Sequence, residues 1–96
     1  MTQPYIIDVH SHCLSAALEK LTGSTPWRAV GVPWAPSDTL AMMDRTAIAS
    51  STLSLTTALD AVPPKQRPST ARAINEELAR IVNLDPTRLG AFAVLP

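Results

Sequence analysis

The sequence predicts an α/β fold in which three parallel strands alternate with helices. Strand-like segments recur three times along the 96 residues, and segments with a helical spacing of apolar residues lie between them. Strands that alternate with helices are joined by right-handed crossovers and form a parallel sheet. Because such a sheet needs cover on both faces and three strands cannot close a barrel, we expect the opening part of a larger fold.

The first predicted element is a strand over residues 5–9, which leads into the only two histidines of the chain. In a regular strand, Asp8, His10 and His12 would share one face, and Cys13 would point to the other. Alternate residues along a strand lie ~6.6 Å apart, so two imidazoles at that spacing can both reach one metal ion. The spacing therefore predicts that His10 and His12 are metal ligands, against the simpler interpretation of ordinary strand histidines. Asp8 is a candidate third ligand or an acceptor that orients an imidazole N–H, and because it lies deeper in the strand we favour the orienting or a purely structural role over direct coordination. Cys13 is predicted to be a buried, inert thiol.

Two helices are predicted next from the spacing of apolar residues and from the residues at their ends. The first has apolar positions at i, i+3, i+4 and i+7, and Gly23 is suited to end it: Leu14, Ala17, Leu18 and Leu21. The second is expected to begin at Ser37 as N-cap, with Asp38 near the positive end of the helix dipole. Its predicted apolar face consists of Leu40, Met43 and Ala47.

A long loop without periodicity is predicted between these helices, over residues 24–36. Loops of this length tend to be functional or mobile. Arg28 is a candidate to pair with a substrate carboxylate through its guanidinium fork. The tryptophans of the loop, including Trp34, are predicted either to contact substrate or simply to cover the structure beneath, and we favour the covering role.

The second half of the chain predicts strand, helix and strand in turn. The strands span residues 49–55 and 90–95, and Ser69 is the expected N-cap of the helix between them. Glu76 precedes Arg80 by four residues, a spacing that supports a helix modestly. Helical spacing is clearest for the apolar face of this helix: Ala71, Ile74, Leu78, Ile81 and Val82.

Asn75 and three arginines in this half are predicted to have structural roles rather than to belong to a site. Asn75 is mildly unfavourable inside a helix, so a packing hydrogen bond is its simplest explanation. Arg72, Arg80 and Arg88 are predicted to form a solvated face.

Composition and charge exclude several function classes. Eight basic and eight acidic side chains give a formal net charge of zero, which argues against nucleic-acid and anionic-membrane surfaces. The single cysteine excludes an intramolecular disulfide and fits a reducing compartment. No stretch has the length or character of a signal peptide or of a membrane span, so a cytoplasmic location is expected.

Beyond these patterns, several segments resemble the amidohydrolase superfamily, in particular its decarboxylase-containing branch typified by aminocarboxymuconate semialdehyde decarboxylase. The segments occur in the family's order and cover nearly the whole chain: Ile7–His12, Met43–Ala49, Thr52–Thr57, Asn75–Leu78 and Asp85–Pro96. The resemblance implies that residues 1–96 are the N-terminal portion, the first three β/α units, of a (β/α)₈ TIM barrel.

The resemblance also implies a function. His10 and His12 would be first-strand ligands of a divalent metal, zinc in first place and manganese as the alternative. The remaining ligands and the proton-transfer histidine would lie beyond Pro96, so no catalytic residue is assigned within the chain. The complete protein would decarboxylate an aromatic or unsaturated carboxylic acid, or hydrolyse a small-molecule substrate.

Two other functions compete with this one. The chain is alternatively a non-catalytic remnant that associates through its strand edges with itself or with a full-length homologue. Unpaired edges of a parallel sheet favour self-association, so a homo-oligomer is expected on physical grounds. A free-standing small α/β domain with inert histidines ranks last, because three strands and three helices do not cover both faces and both edges of the sheet.

Overall fold

A three-stranded parallel sheet organises the chain. In a computed structural model the described residues are 5–22, 34–55 and 59–96. The strands lie in the order β1-β2-β3, with the helices between them along the chain. The elements are β1 (Ile6–His12), α1 (Ala16–Thr22), α2 (Pro36–Thr46), β2 (Ile48–Ser54), α3 (Arg67–Val82) and β3 (Leu89–Ala91), with a short 3₁₀ helix at Pro64–Gln66. The predicted α/β class and parallel sheet are confirmed.

The core lies on one face of this sheet, beneath the helices. Leu53 of β2 is fully buried there, and the side chains packed with it come from all three helices and both outer strands or their ends: Cys13, Leu18, Met43, Ile74, Leu78, Ile81 and Leu89. On the opposite face the described residues leave apolar side chains open to solvent, and Ile7 is 54% exposed. Ser51 of β2 is buried and faces the core, so its neighbour Ser50 faces the other side. Ile7 pairs with Ser50 and therefore lies on that other side. In the part of the chain that the structure describes, the helices therefore cover one face of the sheet.

The N-termini of α2 and α3 differ from the predicted ones. Helix α2 begins at Pro36 with Ala35 as N-cap, and the Asp38 carboxylate accepts the Ala35 N–H at 2.8 Å. Helix α3 begins at Arg67, and Ser69 lies inside its first turn, where its hydroxyl donates to a backbone carbonyl. The predictions of Ser37 and Ser69 as caps are wrong, because a proline within each first turn favours a helical φ and the helices begin two and three residues earlier.

The C-terminus of α2 is closed by an alanine in the left-handed region. Ala47 has φ 58° and ψ 30°, and its N–H donates to the carbonyl of Met43. Glycine is the usual residue at this position because a Cβ is strained there. The prediction that Ala47 continues the apolar face of the helix is therefore wrong.

Arg88 ties the start of β2 to the chain just before β3. Its guanidinium donates to the carbonyls of Ile48 and Ala49 at 3.2 and 3.4 Å, and it pairs with Asp44 at 2.7 Å. The prediction that Arg88 belongs to a solvated face is wrong, since its side chain is 29% exposed and satisfies two strand carbonyls. The predicted support of α3 by Glu76 and Arg80 also differs from the observed pair, because Arg80 pairs with Glu77 rather than with Glu76.

Asn75 on α3 fixes the chain that follows β3. Its amide donates to the Val94 carbonyl at 2.9 Å and accepts the Val94 N–H at 2.7 Å, which confirms the predicted packing role. Strand β3 is shorter than predicted. After Ala91 only Phe92 continues the ladder, with its N–H donating to Leu53.

Candidate metal centre

The histidine strand β1 is irregular where the histidines begin. Asp8 pairs with Ser51, and Ser11, three residues later, pairs with Leu53, which is only two residues along β2. β1 therefore has one extra residue in this interval, the arrangement of a β-bulge. Residues paired across a sheet share a face, so Asp8 and Ser11 both point to the core side. The strict alternation expected from the sequence, with Asp8 on the face of His12, does not hold through this interval.

The two histidine rings lie in contact at the carboxyl end of β1. The ring centroids of His10 and His12 are 4.9 Å apart with an interplanar angle of 87°, and both residues are exposed. Two imidazoles bound to one tetrahedral zinc at Zn–N ~2.1 Å would hold their centroids about 5 Å apart. The donor set and its spacing therefore fit a divalent ion that takes nitrogen ligands.

Asp8 supports the pair through the backbone. Its Oδ1 accepts the N–H of His10 at 2.9 Å. Within residues 5–22, 34–55 and 59–96, no three histidine, cysteine or acidic side chains come together as a metal-binding group. The described part of the chain therefore offers two imidazoles, and a metal site of three or four protein ligands would need others.

A cleft of about 390 Å³ opens at the same edge of the sheet. Its lining includes Ser54, the β2 residue that pairs with His12, together with Asp60 and Phe92. Active sites of barrels built from parallel strands lie at the carboxyl ends of the strands. Neither Ser54 nor Asp60 is predicted from the sequence as a site residue. The available signal was the position of Ser54 near the end of the second predicted strand and of Asp60 in the loop that follows it.

Cys13 lies outside this chemistry. It is 2% exposed within the core, and its thiol lies 3.8 Å from the carbonyl of Ser54. Burial raises the pKa of the Cys13 thiol from 9.0 to about 11, so the reactive thiolate is scarce near neutral pH. The predicted burial of the Cys13 thiol is confirmed, and the raised pKa agrees with the prediction that the thiol is inert.

The predicted substrate loop is described only at its end. Trp34 is partly buried against the core, and its indole N–H donates to the Thr39 hydroxyl at 3.0 Å. This contact agrees with a covering role, while contact of Trp34 with substrate stays a prediction. Arg28 lies outside the described residues, so its pairing with a carboxylate also stays a prediction.

The chain is similar in sequence to two curated decarboxylases. No model of a protein family matches the chain. It is 38% identical to the decarboxylase yanB of Aspergillus niger over 94% of its own length and 26% of the relative's. It is 36% identical to the decarboxylase macB of Penicillium terrestre, again over 94% of its own length and 28% of the relative's. The chain thus spans about a quarter of the curated relatives that it matches.

Two solved structures resemble the chain in fold. An amidohydrolase II superposes with a TM-score of 0.71 and 26% identity, over 95% of this chain and 31% of the other. A dihydroxybenzoic acid decarboxylase from Polaromonas sp. JS666, with bound manganese and the inhibitor 2-nitroresorcinol, gives a TM-score of 0.74 and 27% identity. It matches 98% of this chain and 31% of its own. These likenesses confirm the resemblance to amidohydrolases and their decarboxylase branch, and the partial coverage is consistent with an N-terminal portion.

Proposed function

We propose that this chain supplies the first three β/α units of a (β/α)₈ barrel enzyme of the amidohydrolase superfamily. The complete protein would be a metal-dependent decarboxylase of an aromatic or unsaturated carboxylic acid. The observation that carries the proposal is the contact between the His10 and His12 rings at the carboxyl end of β1. The sequence likeness to decarboxylases over 94% of the chain supports decarboxylation over hydrolysis. A cytoplasmic location belongs to the same proposal.

The residues of this chain would hold the metal and shape one side of the substrate cleft. His10 and His12 provide two neutral nitrogen donors, which suit zinc and manganese. The bound metal would supply a Lewis acid for a substrate oxygen. In the cleft at the same edge of the sheet, Leu55 and Phe92 add apolar side chains to the lining and Asp60 adds a carboxylate. We propose Arg28 as the partner of the substrate carboxylate.

The proposal is tested on the complete protein that contains this chain. After loading with manganese or zinc, it is incubated with hydroxylated benzoic acids, and the released CO₂ is measured. We expect His10→Ala and His12→Ala each to lower kcat/KM by at least ~100-fold. Loss of a residue that only hydrogen-bonds to a metal ligand already lowers metal affinity or activity by ~10–100-fold, and loss of the ligand itself should cost at least as much. A Glu76→Ala variant is the control, because this side chain is exposed on α3, away from the histidines. Turnover that survives in both histidine variants would refute the metal role, and hydrolysis without CO₂ release would assign the hydrolase reaction instead.

A non-catalytic role through strand-edge association is the second candidate, favoured by the apolar side chains at the open side of the sheet. Ile7, Val9 and Phe92 are 54, 64 and 55% exposed. Within the described residues β1 and β3 each have one unpaired edge, and such edges recruit further strands. Light scattering on the 96-residue chain tests this. We expect an oligomer that Ile7→Lys shifts toward monomer, whereas a monomeric wild type would exclude the role.

A further inference from the structure

We propose that Asp8 is a positioning residue, which aims the ring of His10 by accepting the backbone N–H of His10 at the bulge in β1. The inference rests on the proposed function, because it concerns the geometry of the same histidine pair. It assigns Asp8 neither to the metal nor to an imidazole N–H.

The register of the sheet shows why His10 needs such an acceptor. Val9 and His10 lie in the interval where β1 has two residues against the single Thr52 of β2. An extra residue at a bulge is left out of the regular ladder, so its backbone groups need other partners. The Asp8 carboxylate reaches across two residues and supplies one, at 2.9 Å from the His10 nitrogen.

The same geometry links this hydrogen bond to the direction of the imidazole. A bulge turns a side chain away from the position that regular alternation would give it. The carboxylate bond closes a short ring between residues 8 and 10 and so restricts the backbone of His10. With the backbone restricted, the His10 ring lies in edge contact with His12, at the 4.9 Å spacing that fits one metal ion.

The proposed role requires an acceptor oxygen but no charge. Asp8→Asn keeps a carbonyl oxygen at the same position, whereas Asp8→Ala removes the acceptor. A direct metal ligand, or a carboxylate that orients an imidazole N–H electrostatically, would lose its effect in both variants. Because the bond is exposed, water can satisfy the His10 N–H in Asp8→Ala, so we expect both variants to stay folded.

The experiment compares the two variants with the wild type in the complete protein that contains this chain, with and without zinc. In metal-free protein, NMR measures the ring-to-ring contact of His10 and His12 and the hydrogen exchange of the His10 amide. Competition with a chelating dye then measures zinc affinity. We expect Asp8→Ala to weaken the ring contact, to speed exchange of the His10 amide and to lower zinc affinity by about 10-fold, with Asp8→Asn within about 2-fold of wild type.

Each other outcome overturns the proposal in a recognisable way. An Asp8→Asn variant as weak in zinc binding as Asp8→Ala would assign Asp8 to the metal or to a charge effect. An Asp8→Ala variant with an unchanged ring contact would show that the bond does not aim His10, and an unfolded one would make Asp8 structural. If the wild type does not bind zinc, the proposed metal site fails, and the metal-free comparison still decides the role of Asp8.

Discussion

Replacing Asn75 by alanine should destabilise the fold through the loss of two hydrogen bonds to one residue. The Asn75 amide pairs with both backbone groups of Val94, at 2.9 and 2.7 Å, where β3 has already ended. A net contribution of about 1 kcal/mol for each bond gives a loss of about 2 kcal/mol. Alanine is the better helix former by roughly 0.6 kcal/mol, which offsets part of that loss. We therefore expect the free energy of unfolding to fall by about 1.4 kcal/mol.

Urea and thermal unfolding followed by circular dichroism measure this change. For a domain of this size the loss corresponds to a decrease in Tm of roughly 6–11 °C. Glu76→Ala is the matched control, because Glu76 is the exposed neighbour on the same helix and should change stability by less than about 0.5 kcal/mol. An Asn75→Ala variant as stable as wild type would refute the inference that Asn75 holds the segment after β3.

Three further changes test other contacts of the fold by the same unfolding measurements. Ala47→Gly should stabilise by about 0.5–1 kcal/mol, because it relieves the strain at φ 58°, and a destabilised variant would contradict that. Arg88→Ala should lower the free energy of unfolding by about 2 kcal/mol, because Arg88 donates to two strand carbonyls. Asp44→Ala should lower it by less than ~0.5 kcal/mol, because Asp44 is 67% exposed. Equal losses in the two variants would assign the effect to the ion pair. Between pH 9 and about 11 the unfolded Cys13 thiol ionises while the folded one stays protonated, so stability should fall with rising pH by up to roughly 2–3 kcal/mol. Cys13→Ala should lack this component, and an unchanged pH profile would contradict it.

The order of strands and helices could be predicted from the sequence because it depends on local periodicity. Apolar spacing identified the buried positions Leu18, Met43, Ile74 and Leu78, and all four lie in the core. Such positions follow from the period of a helix and require no knowledge of distant contacts. The resemblance of ordered segments to amidohydrolases was likewise predictable and is confirmed.

Features that depend on contacts distant in the chain could not be predicted. Arg88 interacts with residues about 40 positions away, and no local pattern separates such an arginine from a solvated one. The bulge at His10 depends on the pairing register between β1 and β2, which the sequence of β1 alone does not determine. Helix starts were displaced by two and three residues, because proline in the first turn competes with the serine cap.

The central claim is that His10 and His12 form one metal-binding pair, and a zinc titration of the complete protein that contains this chain tests it most directly. The signals of both imidazoles are followed by NMR, and His10→Ala, His12→Ala and the double variant are titrated in parallel. We expect saturable binding that shifts the two rings together, weakens in each single variant and disappears in the double variant. Zinc that shifts neither ring, or binding that persists in the double variant, would contradict the claim.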